Sequence, residues 1–245
     1  MLLNCDIGES YGAWTMGLDD QVMPYIDQAN IACGFHAGDP LVMQNTVKLA
    51  LRHKVMLGAH PAYPDLQGFG RRSMVCRPEE IHALVLYQVG ALAQIAATRG
   101  GCLSYVKPHG ALYNDMMRDE TTLRAILSAL RKSPQDLALM AMSTADNQAL
   151  KAVCEEYSVQ LLLEVFADRA YDEHGYLVPR SEKGAVHNHP DTIVQQAVAL
   201  SRGEAIRSIS GTPLHLEADT LCVHGDNPES VAAVQAIRAA LDGQP

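Results

Sequence analysis

No stretch of about 18 consecutive apolar residues occurs, so no membrane-spanning helix and no membrane partner are expected. No basic segment followed by an apolar one opens the chain, and Leu2 onward reads as a strand, so no export leader is expected either. C-x-x-C pairs are missing: Cys5, Cys33, Cys76, Cys102, Cys154 and Cys222 are scattered. Cys5, Cys33, Cys102 and Cys222 fall in apolar strand-like runs, where a free thiol behaves as a small hydrophobe. These absences point to a reducing compartment and a cytoplasmic protein. Positive charge is short: 19 Lys and Arg against 28 Asp and Glu leave a net charge of −9. Such a chain repels phosphate backbones, so nucleic acid is not an expected partner. G-x-x-x-x-G-K-[ST] and a helix-opening G-x-G-x-x-G are absent, which argues against P-loop and dinucleotide sites. G-x-S-x-G and H-E-x-x-H are absent too. No linker, repeat array or low-complexity segment divides the chain.

The 245 residues, 48% of them apolar, suit one α/β barrel spanning 1–245. One pattern recurs: a short apolar run ends in a polar, glycine-containing motif, and an amphipathic helix follows. Such runs lead to Asn4–Glu9, His36–Asp39, His60-Pro61, Lys107–Gly110, Ser143-Thr144, Ala167–Arg169 and His224–Asp226. Helix starts are signalled by Asp39-Pro40 and Asn227-Pro228, where a capping side chain precedes proline at the first helical position. Further helices are expected from Pro78 to about Arg99, Thr121 to Lys132, Thr144 or Asp146 to about Tyr157, and Pro190 to about Arg202. Ser208–Leu216 reads as a hairpin. Strands alternating with helices imply parallel pairing and right-handed crossovers. A doubly wound sheet shares this rhythm, but the even spread of polar strand ends favours the barrel.

Four of the ten histidines, His36, His60, His109 and His224, sit where strands should end. A barrel delivers every strand end to one face, so these imidazoles would converge with Asp6, Glu9 and Asp168. That set suits acid–base work at neutral pH or a divalent metal. A lone strand-end histidine is more often a hydrogen-bonded core residue; four at equivalent positions are not. Asp39 and Asp226 are equally explained as helix caps. Lys107 could face an oxyanion or phosphate, or lie on the surface. Glu164, inside an apolar run, needs a cationic partner such as Lys107 or Arg169. Arg169 could grip a substrate carboxylate or pair structurally with Asp168 or Glu164. Gly68-Phe69-Gly70-Arg71-Arg72 suggests a mobile anion-binding flap. His187-Asn188-His189 reads as surface.

The strings ANIACGFHAGD (29–39), GAHPAYPD (58–65), GFGRR (68–72), KPHGALYN (107–114), EVFADRAY (164–171), VPRS (178–181) and VHGD (223–226) follow one another over almost the whole chain. With Asn4–Glu9 they resemble the LamB/YcsF family, the A subunits of ATP-dependent 5-oxoprolinase. Cys5 and Ser10-Tyr11-Gly12 depart from its N-terminal pattern. The resemblance implies a distorted seven-stranded parallel barrel of the glycoside hydrolase/deacetylase-like kind. It implies ATP-coupled cleavage of 5-oxo-L-proline to L-glutamate, ATP as co-substrate with Mg2+ as companion ion, and B and C partner subunits. The expected catalytic set is Asp6, His36, His60, Lys107, His109 and His224. The expected substrate-binding set is Glu9, Asn30, Arg71, Arg72, Glu164, Asp168 and Arg169. Two other readings stay open. One is a metal-dependent amide hydrolase with Asp6, His36 and His60 as ligands; the other is a non-catalytic subunit that binds the lactam.

Overall fold

The computed structural model describes residues 1–243. Seven parallel strands close into a barrel in the order β1 (Leu2–Ile7), β2 (Gln28–Ala32), β3 (Met56–His60), β4 (Leu103–Val106), β5 (Ala138–Met142), β6 (Leu161–Phe166) and β9 (Thr220–Val223). The last of these pairs with β1, matching Leu2 to Thr220 and Asn4 to Cys222. Short β7 (Ile206–Arg207) and β8 (Pro213–Leu214) form a separate antiparallel hairpin. The expected hairpin is therefore present, but its first strand precedes Ser208, and Ser208–Thr212 make the turn.

The helices are α1 (Asp19–Val22), α2 (Pro40–His53), α3 (Pro78–Ala97), α4 (Gly110–Met116), α5 (Glu120–Lys132), α6 (Gln148–Glu156), α7 (Pro190–Ser201) and α8 (Pro228–Asp242). Asp39 caps α2 by accepting from the Leu41 and Val42 amides, and Asn227 caps α8 by accepting from the Ser230 amide. One helix start differs from expectation, since α6 begins only after Asn147, and two helices, α1 and α4, carry no sequence signal strong enough to announce them. By length and composition α3 could cross a membrane. Here it turns Ile81, Val85, Val89, Leu92 and Ala96 into the core, and a Glu80 carboxylate oxygen takes the Arg77 amide at its start.

Alternation along each strand separates two interiors. Leu3, Cys5, Ile7, Ala29, Ile31, Leu139 and Val165 face outward into one continuous apolar layer beneath the helices. The barrel lumen is different. Tyr105, Ala138, Met140 and Leu162 fill one side with a small apolar cluster. The opposite side is a ladder of amides and hydroxyls. Thr220 Oγ1 donates to Gln28 Oε1 (2.6 Å), Asn4 Nδ2 to Thr220 Oγ1 (3.0 Å), and Asn30 Nδ2 to both Asn4 Oδ1 and Asp6 Oδ1 (2.8 Å each). The Tyr105 hydroxyl crosses the lumen to Asn30 Oδ1 (2.7 Å). Gly58 permits this, because a Cβ there would stand 2.2 Å from the Tyr105 ring. Every buried polar atom on this ladder has a partner, so polar filling costs little.

Candidate active site at the barrel mouth

The ladder ends at the C-terminal rim in a buried charge cluster. Lys107, just past β4, reaches Glu164 Oε1 at 2.7 Å and Asp6 Oδ1 at 3.0 Å. Tyr113, on α4, donates its hydroxyl to the other Glu164 oxygen (2.8 Å). Burial raises the Asp6 pKa, but His60 and Lys107 outweigh it and hold the carboxyl well below its usual range. Burial likewise opposes the Lys107 ammonium, and Asp6 and Glu164 overcome it, so its pKa lies well above normal. Lys107 is thus an internal counter-ion. The expected phosphate contact does not arise, because its bonds are already taken.

Above Asp6 lie three imidazoles. His60 Nε2 is 3.3 Å from Asp6 Oδ2 and 2.9 Å from His109 Nδ1. His36 stacks on His109 with ring centroids 3.8 Å apart, and its Nε2 meets Glu9 Oε1 at 3.0 Å. The same Glu9 oxygen is 3.6 Å from His109 Nδ1. Two backbone carbonyls fix the ring protons. His60 Nδ1 lies 2.6 Å from the Lys107 carbonyl, and His109 Nε2 lies 2.9 Å from the Phe69 carbonyl. A carbonyl only accepts, so both of those nitrogens donate. In neutral rings the remaining nitrogens, His60 Nε2 and His109 Nδ1, then confront one another as two lone pairs. That arrangement calls for a cation between them: a shared proton or a metal ion. Burial, followed by His36 and His60, pushes His109 well below its ordinary pKa, which disfavours the proton. His36 is lowered in the same way, by burial first and then His60. Glu9, His36, His60 and His109 each place one ligand atom within 4.8 Å of the others, a donor set that fits a zinc-like ion. The candidate ligands are therefore Glu9 and His109 beside His36 and His60. Asp6 Oδ2 lies beside the same His60 Nε2, and the Lys107 carbonyl on Nδ1 orients the ring, as an outer acceptor does for a ligand histidine.

The 65–72 loop closes one side of the cluster as a wall rather than a flap. Asp65 accepts from the Gly68 amide and pairs with the Arg72 guanidinium, and Gly70 accepts from the Ala111 amide. Gly70 has φ +65, and a Cβ there would press within 2.9 Å of both His36 and His109. Arg72 is consumed by Asp65, whereas Arg71 lies over the Phe69 ring and remains exposed. The Gln88 side chain braces the strand end by bonding both the amide and the carbonyl of Ala62.

His224 does not join the other three. Its Nδ1 is 3.1 Å from Asp168 Oδ2. Burial opposes its charge, but Asp168 prevails and lifts its pKa to about 9; Asp168 is held down to about 2, chiefly by His224 against its own burial. This pair borders a cavity of about 400 Å³ between α7 and α8, while Asp6 and Glu9 border one of about 330 Å³; Asp226 borders both. Arg169 is not free for a ligand. It is buried, with Nε on the Ala185 carbonyl (3.3 Å) and Nη2 on the Val178 carbonyl (2.7 Å). Asn30 is sealed in the ladder below Asp6. His187 lines the larger cavity and is not a plain surface residue. Sequence reasoning assigned no role to Asn4, Tyr105, Gln88, Tyr113 or Arg180, although Asn4, Tyr113 and Arg180 lie in strings that drew notice.

A closed parallel barrel with a carboxylate–imidazole cluster at the C-terminal ends of its strands defines an (α/β)-barrel protein with its candidate site at that face. The LamB/YcsF family profile matches residues 1–245, and the chain belongs to that family. It is 60% identical over 242 residues to the 5-oxoprolinase A subunit of Chromohalobacter salexigens, covering 99% of this chain and 97% of that protein. The corresponding protein of Vibrio cholerae is 53% identical over 240 residues, covering 98% and 97%. The crystal structure of a lactam utilization protein from Thermus thermophilus superposes with a TM-score of 0.92 at 39% identity, covering 99% of this chain and 96% of that one.

Proposed function

We propose that this chain is the A subunit of an ATP-dependent 5-oxoprolinase, acting in the cytoplasm with B and C subunits: 5-oxo-L-proline + ATP + 2 H2O → L-glutamate + ADP + phosphate. The observation that carries this reading is the 60% identity, over nearly the whole length of both chains, to a protein named for that role. The chemistry explains what the site must supply. A lactam carbon is a poor electrophile, and phosphorylating its amide oxygen makes it attackable by water. The site then needs a base for the water and donors for the developing oxyanion. His60, whose Nδ1 donates to the Lys107 carbonyl, is assigned as the base through the lone pair on Nε2, which lies beside Asp6 and His109. Lys107 keeps Asp6 ionised, and Arg71 is the exposed cation left for phosphate.

With purified chain added to its two partners, His60→Gln and Asp6→Asn should each lower kcat about 100-fold or more, with folding intact by circular dichroism. Normal turnover in both refutes the assignment. If the variants also bind the lactam normally, the chain only delivers substrate, and the chemistry lies on a partner.

A second reading is favoured by the two facing lone pairs: Glu9, His36, His60 and His109 hold a divalent ion, and the chain is a metal-dependent amide hydrolase. Such an ion would polarise a carbonyl or activate water. Elemental analysis discriminates. One tightly held zinc-like ion per chain, with lactam hydrolysis that needs no ATP, supports it; ATP-dependent turnover by metal-free protein rejects it.

A further inference from the structure

The cavity between α7 and α8 has a composition that the histidine cluster does not explain. Val186, Ile193, Val223, Val234 and Ile237 make much of its wall apolar. Polar groups, among them Arg180, the His224–Asp168 pair, Asp226 and Glu229, make up the rest. The cations near this cavity differ in what they have left to offer. Arg169 is spent on two backbone carbonyls, and His224 is committed to Asp168. Arg180 is exposed and makes no hydrogen bond or ion pair among the described residues. The N-terminus of α7 also opens here at Pro190, with no side chain capping it. A volume of about 400 Å³ is at the small end of ligand sites.

The ligand chemistry that satisfies this surface is a compact carbon skeleton carrying one carboxylate. The skeleton would lie on the valines and Ile193, and the carboxylate would take the planar fork of the guanidinium. Asp226 and Glu229, on the same wall, would repel a second carboxylate such as ring opening creates. We propose that Arg180 is the carboxylate-binding and specificity-determining residue of this protein, and that the α7–α8 cavity seats the monoanionic lactam before ring opening. The identity of the ligand rests on the 5-oxoprolinase reading; the assignment of Arg180 rests on its unpaired guanidinium beside an apolar wall. Asp226 borders both cavities, so a ring seated here adjoins the one that Asp6 and Glu9 line.

The test is Arg180→Gln in the full chain, assembled with its partner subunits. A charged hydrogen-bond pair is lost, so KM for 5-oxoproline should rise about 10- to 100-fold, with the effect on KM rather than kcat. Arg180→Lys should restore part of it. The melting temperature should move little, since the guanidinium makes no hydrogen bond or ion pair among the described residues. Calorimetry on the isolated chain supplies a second arm: wild type should prefer 5-oxoproline over 2-pyrrolidinone, which lacks the carboxylate, and Arg180→Gln should erase that preference. A preserved preference, or a rise in KM for ATP in place of the lactam, overturns the assignment while leaving the 5-oxoprolinase reading intact. If wild-type complex fails to open 5-oxoproline and wild-type chain binds neither lactam, that reading falls and takes this one with it.

Discussion

Lys107 and His224 show how single charges survive burial in this protein. Lys107 is neutralised by Asp6 and Glu164, and removing it strands the fully buried Glu164 carboxylate and leaves the partly buried Asp6 without its cation. Lys107→Met should therefore cost about 3–5 kcal/mol in urea unfolding, and adding Glu164→Gln should recover part of that loss. The His224–Asp168 pair makes stability depend on pH, with a definite sign. The folded pKa of His224 is raised from 6.5 to about 9, so its contribution is complete below pH 6.5 and disappears as pH rises through 9. The folded pKa of Asp168 is lowered from 3.8 to about 2, so its contribution is complete above pH 3.8 and disappears as pH falls through 2. The pair should stabilise most between about pH 4 and 6.5, by roughly 2–3 kcal/mol. Denaturation of wild type and His224→Gln should diverge there and converge toward pH 10; parallel curves throughout would remove the pair from the account. At this scale the sequence was informative about residue type and poor on direction. Strand-end positions bring His36, His60 and His109 together, but nothing in the chain order shows that His224 turns to Asp168 or Arg169 to backbone carbonyls.

Elements were more legible than side chains where a local signal encodes them. Asp39-Pro40 and Asn227-Pro228 mark α2 and α8 because the cap and the proline act within one turn. Asp39 serves α2 through Oδ1 and binds the Gly12 amide through Oδ2 at 2.7 Å, so it also tethers the loop after β1. Asp39→Ala should lower stability by about 1–2 kcal/mol in urea titration, and Asp39→Asn should keep much of the cap. A loss under a few tenths of a kcal/mol would show that the tether and cap are dispensable. By contrast α4 was unreadable. It has seven residues, follows Pro108-His109, begins with a glycine and lacks a side-chain cap. It is held instead by tertiary bonds, the Ala111 amide to Gly70 and the Tyr113 hydroxyl to Glu164.

For the molecule as a whole, barrel closure was predictable from the strand–helix rhythm, while its polar lumen was not. Asn4, Gln28, Asn30 and Thr220 look like interruptions in apolar runs until the ring closes and they bond across it. Closure also makes the last strand indispensable. Ending the chain at Asp219 would remove β9 and α8 and leave β1 and β6 with unpaired edges. Such a product should aggregate and show no cooperative unfolding in calorimetry; a soluble, cooperative product would mean that six strands suffice. The Asn4–Thr220 bond also spans 216 positions of the chain. At about 5–20 residues per second of synthesis, Asn4 leaves the ribosome on the order of 10–40 s before its partner exists. Through that interval the first strand waits with one edge bare, a natural client for chaperones. A nascent chain stalled before Thr220 cannot close the ring and leaves the mouth incomplete.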